Sequence, residues 1–215
     1  MTRRGAIGLA ASALGAVWLG GCEGQAKWHS IDVSGSSPAL KFNLTRARDR
    51  KPVTAADYRG QIVMLYFGYT FCPDVCPLTL SNVADILKRL GPAAQHVRVL
   101  FVSVDPHRDT LPVLAEYVKN FAPQVDGLRG TPDQVAAFAR RYRLVFSVTP
   151  ATKDHPYEVT HSSAIYVFDG TGAARILISS LATAKPDIAG ATSDLKQLVE
   201  EANPPGLLTR LLRLV

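Results

Sequence analysis

The chain has 215 residues, 47% of them hydrophobic and 20% charged, and a net charge of +6. Those proportions fit one domain with appendages, and they exclude both wholesale disorder and a protein that spans a membrane many times. Three cysteines are too few for a disulfide scaffold, and their odd number asks what the unpaired one does.

Met1 to Arg4 is a short basic start, and an uncharged stretch rich in Ala, Gly and Leu follows from Gly5 to Gly21. That pattern is a secretory leader, with an uncleaved anchor as the alternative. The leader ends in Leu19-Gly20-Gly21-Cys22, which resembles a bacterial lipobox, and Thr2-Arg3-Arg4 only faintly resembles a twin-arginine signal. Residues 1–21 are therefore expected to be removed and Cys22 to carry lipid. This accounts for the odd cysteine and holds the protein by a lipid anchor at the periplasmic face of the bacterial cytoplasmic membrane. Losing Arg3 and Arg4 takes two charges from +6 and leaves +4. With no basic stripe interleaved with aromatics, a nucleic-acid partner is not expected. Export also moves the thiols into an oxidising compartment.

Glu23 to Pro38 is polar and ends near Ser34-Gly35-Ser36-Ser37-Pro38, the composition of a tether; Trp28 and His29 are taken as part of it. The folded domain is expected over residues 39–203. Ile62–Tyr69 is an apolar run of the kind buried on both faces of a sheet, and Val97–Val104 is a second. Between them Leu78–Leu90 has helical spacing, stopped by Gly91-Pro92. Leu111–Phe121 is a helix with Asp109 or Thr110 as N-cap, and Pro132–Tyr142 is another, capped by Thr131. Ala164–Phe168 and Ala173–Ile178 flank Asp169-Gly170-Thr171-Gly172 as a hairpin, and Asp187–Ala202 is the last helix. Residues 204–215 form an apolar tail expected to pack on the domain. This order is that of a thioredoxin-like α/β fold, a central mixed sheet flanked by helices, with an N-terminal extension.

The remaining cysteines lie in Cys72-Pro73-Asp74-Val75-Cys76-Pro77, between the first buried strand and its helix. With Pro77 in the first helical position, both thiols sit near unpaired N–H groups and the positive helix end, which predicts lowered pKa values. A helical turn puts their α-carbons about 6 Å apart. That distance suits a disulfide couple or two thiolates on one soft metal ion, and a purely structural disulfide is the plain alternative. Among the five histidines, His161 stands out because it precedes the hairpin strand, in a loop that such a sheet carries over the cysteines. On residue chemistry alone its role stays open. Asp105, ending the second buried strand, either supports the site from behind or caps the next turn.

Phe67-Gly68-Tyr69-Thr70-Phe71-Cys72-Pro73-Asp74-Val75-Cys76-Pro77 resembles the signature of the Sco/SenC family of thioredoxin-fold copper chaperones. Val102–Thr110 and Val159–Tyr166 resemble two further family motifs, in the same order, so the likeness runs from about Ile31 to Ala202. The resemblance implies one copper ion per domain, as Cu(I) or Cu(II), held by Cys72, Cys76 and His161. It implies delivery to the dinuclear copper site of cytochrome c oxidase subunit II. Because closing the disulfide in an oxidising compartment would remove both sulfur ligands, a periplasmic thiol reductant is expected to keep the cysteines open. Thr160 stands where many members have Asp, and His107 where Glu is common, a position that is not a ligand in the family. The competing function is a thiol–disulfide oxidoreductase acting on the cysteines of that same oxidase site. A thiol peroxidase on the same fold is disfavoured by the three-residue cysteine spacing and His161.

Overall fold

The computed structural model describes residues 28–154 and 157–203. The leader, Cys22, His155 and the tail from 204 lie outside the described residues. In chain order the strands are β1 (Ile31–Asp32), β2 (Asn43–Arg46), β3 (Pro52–Thr54), β4 (Ile62–Gly68) and β5 (Val97–Ser103), then β6 (Val125–Arg129), β7 (Phe146–Thr149), β8 (Glu158–His161), β9 (Ile165–Phe168) and β10 (Ala174–Ile178). The helices are α1 (Val75–Leu90), α2 (Leu111–Lys119), α3 (Pro132–Arg141) and α4 (Ile188–Ala202). No helix among the described residues is long and apolar enough to cross a membrane.

The main sheet has eight strands in the order β1-β10-β9-β4-β5-β6-β2-β3, and β7 and β8 form a separate pair. β4, β5 and β6 run parallel, and the outer strands are antiparallel, so the sheet is mixed as expected. Every residue of β4 is buried, which is why its sequence lacks the alternation of a half-exposed strand. Its Val, Ile, Leu and Phe side chains each contribute roughly 1.5–3 kcal/mol by leaving water. Alternation along the strand sends the Phe67 ring to Phe138 of α3, with centroids 5.1 Å apart. Tyr66 and Gly68 face the other way, toward Phe101 and α1.

Helix α1 buries Cys76, Thr79, Leu80, Val83, Ile86, Leu87 and Leu90, one stripe at three- and four-residue spacing. It ends at Gly91, whose φ of 57° suits a residue without Cβ. The capping expected at Thr131 is present as a capping box with Gln134. At α2 the choice falls on Thr110, whose hydroxyl accepts from the Val113 amide. Both buried strands and all four helices lie within a few residues of their expected places.

Two expectations are corrected. Helix α1 begins at Val75 rather than near Pro77, so Cys76 lies inside its first turn. Proline constrains only its own φ and tolerates any first-turn position, so it did not mark the first helical residue. The second half of the expected tether is part of the domain. Ile31 and Asp32 pair with Leu177 and Ile176, Val33 joins the core, and Trp28 packs against it under the Arg175 guanidinium. The amides of His29 and Ser30 donate to the buried Asp194 carboxylate at 3.0 and 2.8 Å. A two-residue strand held by a partner some 145 residues away leaves no periodicity to read.

Candidate metal centre

The end of β4 and the start of α1 bring the two cysteines together. The Cys76 amide donates to the Cys72 sulfur at 3.4 Å, so the first turn of the helix closes over Cys72. Cys72 is half-buried and Cys76 fully buried, and both are free thiols. The third member arrives on β8, the strand paired to β7 with His161 opposite Phe146. His161 Nε2 lies 3.1 Å from Cys76 Sγ. The ligand atoms of Cys72, Cys76 and His161 all fall within 4.8 Å of one another, the sole such His, Cys and carboxylate group among the described residues.

The imidazole is fixed in orientation and in tautomer. Its Nδ1–H donates to the Ser162 carbonyl at 3.0 Å, which leaves the Nε2 lone pair facing Cys76. Tyr69 meets the ring edge-on at 5.7 Å and 88°, and Tyr66 at 6.0 Å and 64°. The Tyr69 hydroxyl donates to the Val159 carbonyl at 3.3 Å, which ties the cysteine loop to β8. Burial lowers the His161 pKa, so the ring is neutral and available as a donor near neutrality.

Electrostatics correct the expectation for Cys76. Burial pushes its thiol up to about 12. From an ordinary value of 9.0 the rise corresponds to roughly 4 kcal/mol. A helix end supplies about 0.3–1 kcal/mol, so desolvation wins. Because Cys76 faces the core, the metal-free thiol keeps its proton. Burial also raises the Tyr69 hydroxyl to about 12, with the Cys72 sulfur the next contributor.

Asp105 does not enter the ligand group. Its buried carboxylate accepts from Tyr157 Oη at 2.7 Å and from Arg108 Nε. The Arg108 guanidinium then lies over the rings of Tyr157, Phe71 and Tyr69, at 4.0, 4.8 and 5.7 Å from their centroids. Through Tyr157 and Arg108, Asp105 thus joins the cysteine loop to the segment leading into β8. His107 lines a separate groove with Pro106, Pro132 and Phe146.

Other contributors escaped the sequence reading. Asp109 is buried and accepts from the Thr70 amide at 3.1 Å, the Thr70 hydroxyl at 2.6 Å and the Ser103 hydroxyl at 2.6 Å. It pins the start of the cysteine loop to the end of β5; in the sequence it reads only as a possible cap. At Gly68 an added Cβ would stand 2.5 Å from Phe101 Cε2 and 2.8 Å from Cys76 Sγ, so only glycine leaves room for the sulfur. Its signal was visible: a glycine ending a buried apolar strand marks a close approach.

Comparison with known proteins points the same way. The SCO1/SenC family profile matches residues 34–200. The Bos taurus protein SCO2 homolog, mitochondrial, is 44% identical over 119 residues, which are 54% of this chain and 45% of that protein. The chain spans about half the length of the curated relatives it matches. Bradyrhizobium japonicum ScoI, solved with copper bound, superposes with a TM-score of 0.66 at 34% identity, covering 75% of this chain and 99% of that one. Apo Sco1 from Thermus thermophilus gives 0.70 at 29% identity, covering 81% of this chain and 99% of the other. These matches bear out the thioredoxin-like fold.

Proposed function

The chain belongs to the SCO1/SenC family, and from that premise we propose that it is a copper-binding chaperone of cytochrome c oxidase assembly, holding one ion through Cys72, Cys76 and His161. The observation that carries the reading is the convergence of two sulfurs and one oriented imidazole within 4.8 Å. Two thiolates and an imidazole suit Cu(I), and with a further weak ligand Cu(II). Zinc accepts the same donors but usually as a set of four; the copper-bound relative at 34% identity favours copper. The dinuclear copper site of subunit II is the proposed recipient. Release proceeds by ligand exchange, with incoming thiolates replacing Cys76 and Cys72 while the metal keeps its valence. The leader and Cys22 support a lipid anchor at the periplasmic face of the bacterial cytoplasmic membrane, and a periplasmic thiol reductant keeps the pair open for loading.

The alternative, a thiol–disulfide oxidoreductase, uses the same two sulfurs. A Cys76 thiol held near 12 works against it, because exchange needs a thiolate to displace the mixed disulfide. Anaerobic titration of the reduced protein with Cu(I) in the presence of a competing chelator tests the proposal. One ion should bind per chain, and binding should be lost in Cys72→Ser, in Cys76→Ser and after oxidation to the disulfide. Tight binding that survives oxidation would overturn it.

A further inference from the structure

Tyr66 is fully buried in β4, and its hydroxyl has no hydrogen-bond partner among the described residues. Such a group is costly to leave unsatisfied, so an orphaned hydroxyl at a binding centre calls for a reason. The strand sets the face it occupies. Tyr66 lies two residues before Gly68 and therefore on the same face, the face on which a Cβ at Gly68 would press on Cys76 Sγ at 2.8 Å. Its ring is wedged between Phe101, centroids 5.8 Å apart, and the edge of His161 at 6.0 Å. Tyr66 therefore lies on the core side of the site, beside Cys76 and His161.

A neutral thiol is a weak acceptor, whereas a thiolate accepts a charge-assisted hydrogen bond. We propose that Tyr66 is a positioning residue of the metal centre: its hydroxyl donates to the Cys76 sulfur when that sulfur is a metal-bound thiolate, and so favours Cu(I) over Cu(II). The proposal rests on the copper reading above. Hydrogen bonds to a coordinating sulfur withdraw electron density from it and stabilise the lower metal valence. The cost of the unsatisfied hydroxyl falls on the metal-free protein and is relieved on loading, so Tyr66 contributes to retention of the ion.

Tyr66→Phe keeps the ring and removes the hydroxyl, and it should act with opposite signs on the two states. Metal-free protein should melt about 2–4 °C higher. Cu(I) affinity should fall about tenfold or more. Cu(II) affinity should fall less, and the sulfur-to-Cu(II) charge-transfer band should move to longer wavelength. A ring-fluorinated tyrosine at position 66 is a stronger donor of nearly the same shape, and it should move the band to shorter wavelength. An unchanged band and an unchanged Cu(I) to Cu(II) affinity ratio in both variants would overturn the role of Tyr66 while leaving the copper reading intact. A wild-type protein that binds no copper would instead overturn the copper reading, and this inference with it.

Discussion

His161 and Cys76 have opposite chemical tasks at one contact. The imidazole is neutral because it is buried, and its Nδ1–H bond to Ser162 leaves Nε2 free to coordinate. Two thiolates alone can hold Cu(I) in near-linear geometry, whereas Cu(II) needs more donors. His161→Ala should therefore weaken Cu(II) binding by at least tenfold and Cu(I) binding less, with the rate of disulfide exchange little changed. Parallel Cu(II) absorption and disulfide-reduction assays check this, and unchanged Cu(II) absorption would remove His161 from the ligand set.

Cys76 makes loading depend on pH. With its thiol near 12 it carries a proton at neutrality, so binding must release at least that proton. Copper affinity should rise with pH by about tenfold per unit or more between pH 6 and 8, a dependence calorimetry in buffers of different ionisation enthalpy would detect. The same shift sets a stability window. Folding raises this pKa, so the unfolded chain binds fewer protons between 9.0 and about 12. Reduced, metal-free protein should accordingly lose stability as pH climbs through that range, and Cys76→Ala should flatten the loss in denaturant titrations.

At the scale of elements, the site depends on three segments being held together: the cysteine loop before α1, the loop after β5, and the β7–β8 pair. Asp109 joins the first two through Thr70 and Ser103. Asp105 and Arg108 join them to the third through Tyr157. Arg129 locks the middle loop by donating to the carbonyls of Asp109 and Pro106 at 3.0 and 2.7 Å. Asp109→Ala would leave the Thr70 amide and two hydroxyls without their acceptor and should cost about 2–3 kcal/mol. Urea unfolding measures that loss, and copper should leave the variant faster because the loop bearing Cys72 is no longer fixed. A wild-type rate of copper loss would show that the helix alone holds the loop.

Across the whole molecule, the sheet is the support, and the proposed ligands sit at one end of its central strands. β4 and β5 are buried throughout or nearly so, and they carry Gly68 and Ser103 at their ends, where the loops of the site begin. The N-terminal segment forms the edge strand β1, and the amides of His29 and Ser30 anchor it on Asp194. If Cys22 carries lipid, Cys22→Ser should abolish lipid modification and cleavage by the lipoprotein peptidase. Metabolic labelling and fractionation would show this, and normal processing with unchanged membrane association would refute it.

The sequence alone determined the parts governed by local rules. Burial on both faces wrote β4 as a continuous apolar run and β5 as one interrupted only by Arg98 before its closing Ser103. Helical spacing and caps wrote α1 to α4, and the close spacing of Cys72 and Cys76 at a strand-to-helix junction placed two sulfurs within reach of each other. Tertiary structure decided everything that depends on distant partners. That His161 arrives on a paired strand, that Asp109 pins Thr70, and that Tyr66 faces the site all follow from strand order and side-chain alternation within the assembled sheet. The Cys76 pKa belongs to the same class. Sequence position next to a helix start argues for a lowered value, but the value is set by solvent exclusion, and exclusion exists only once α1 has packed its Cys76 face against β4.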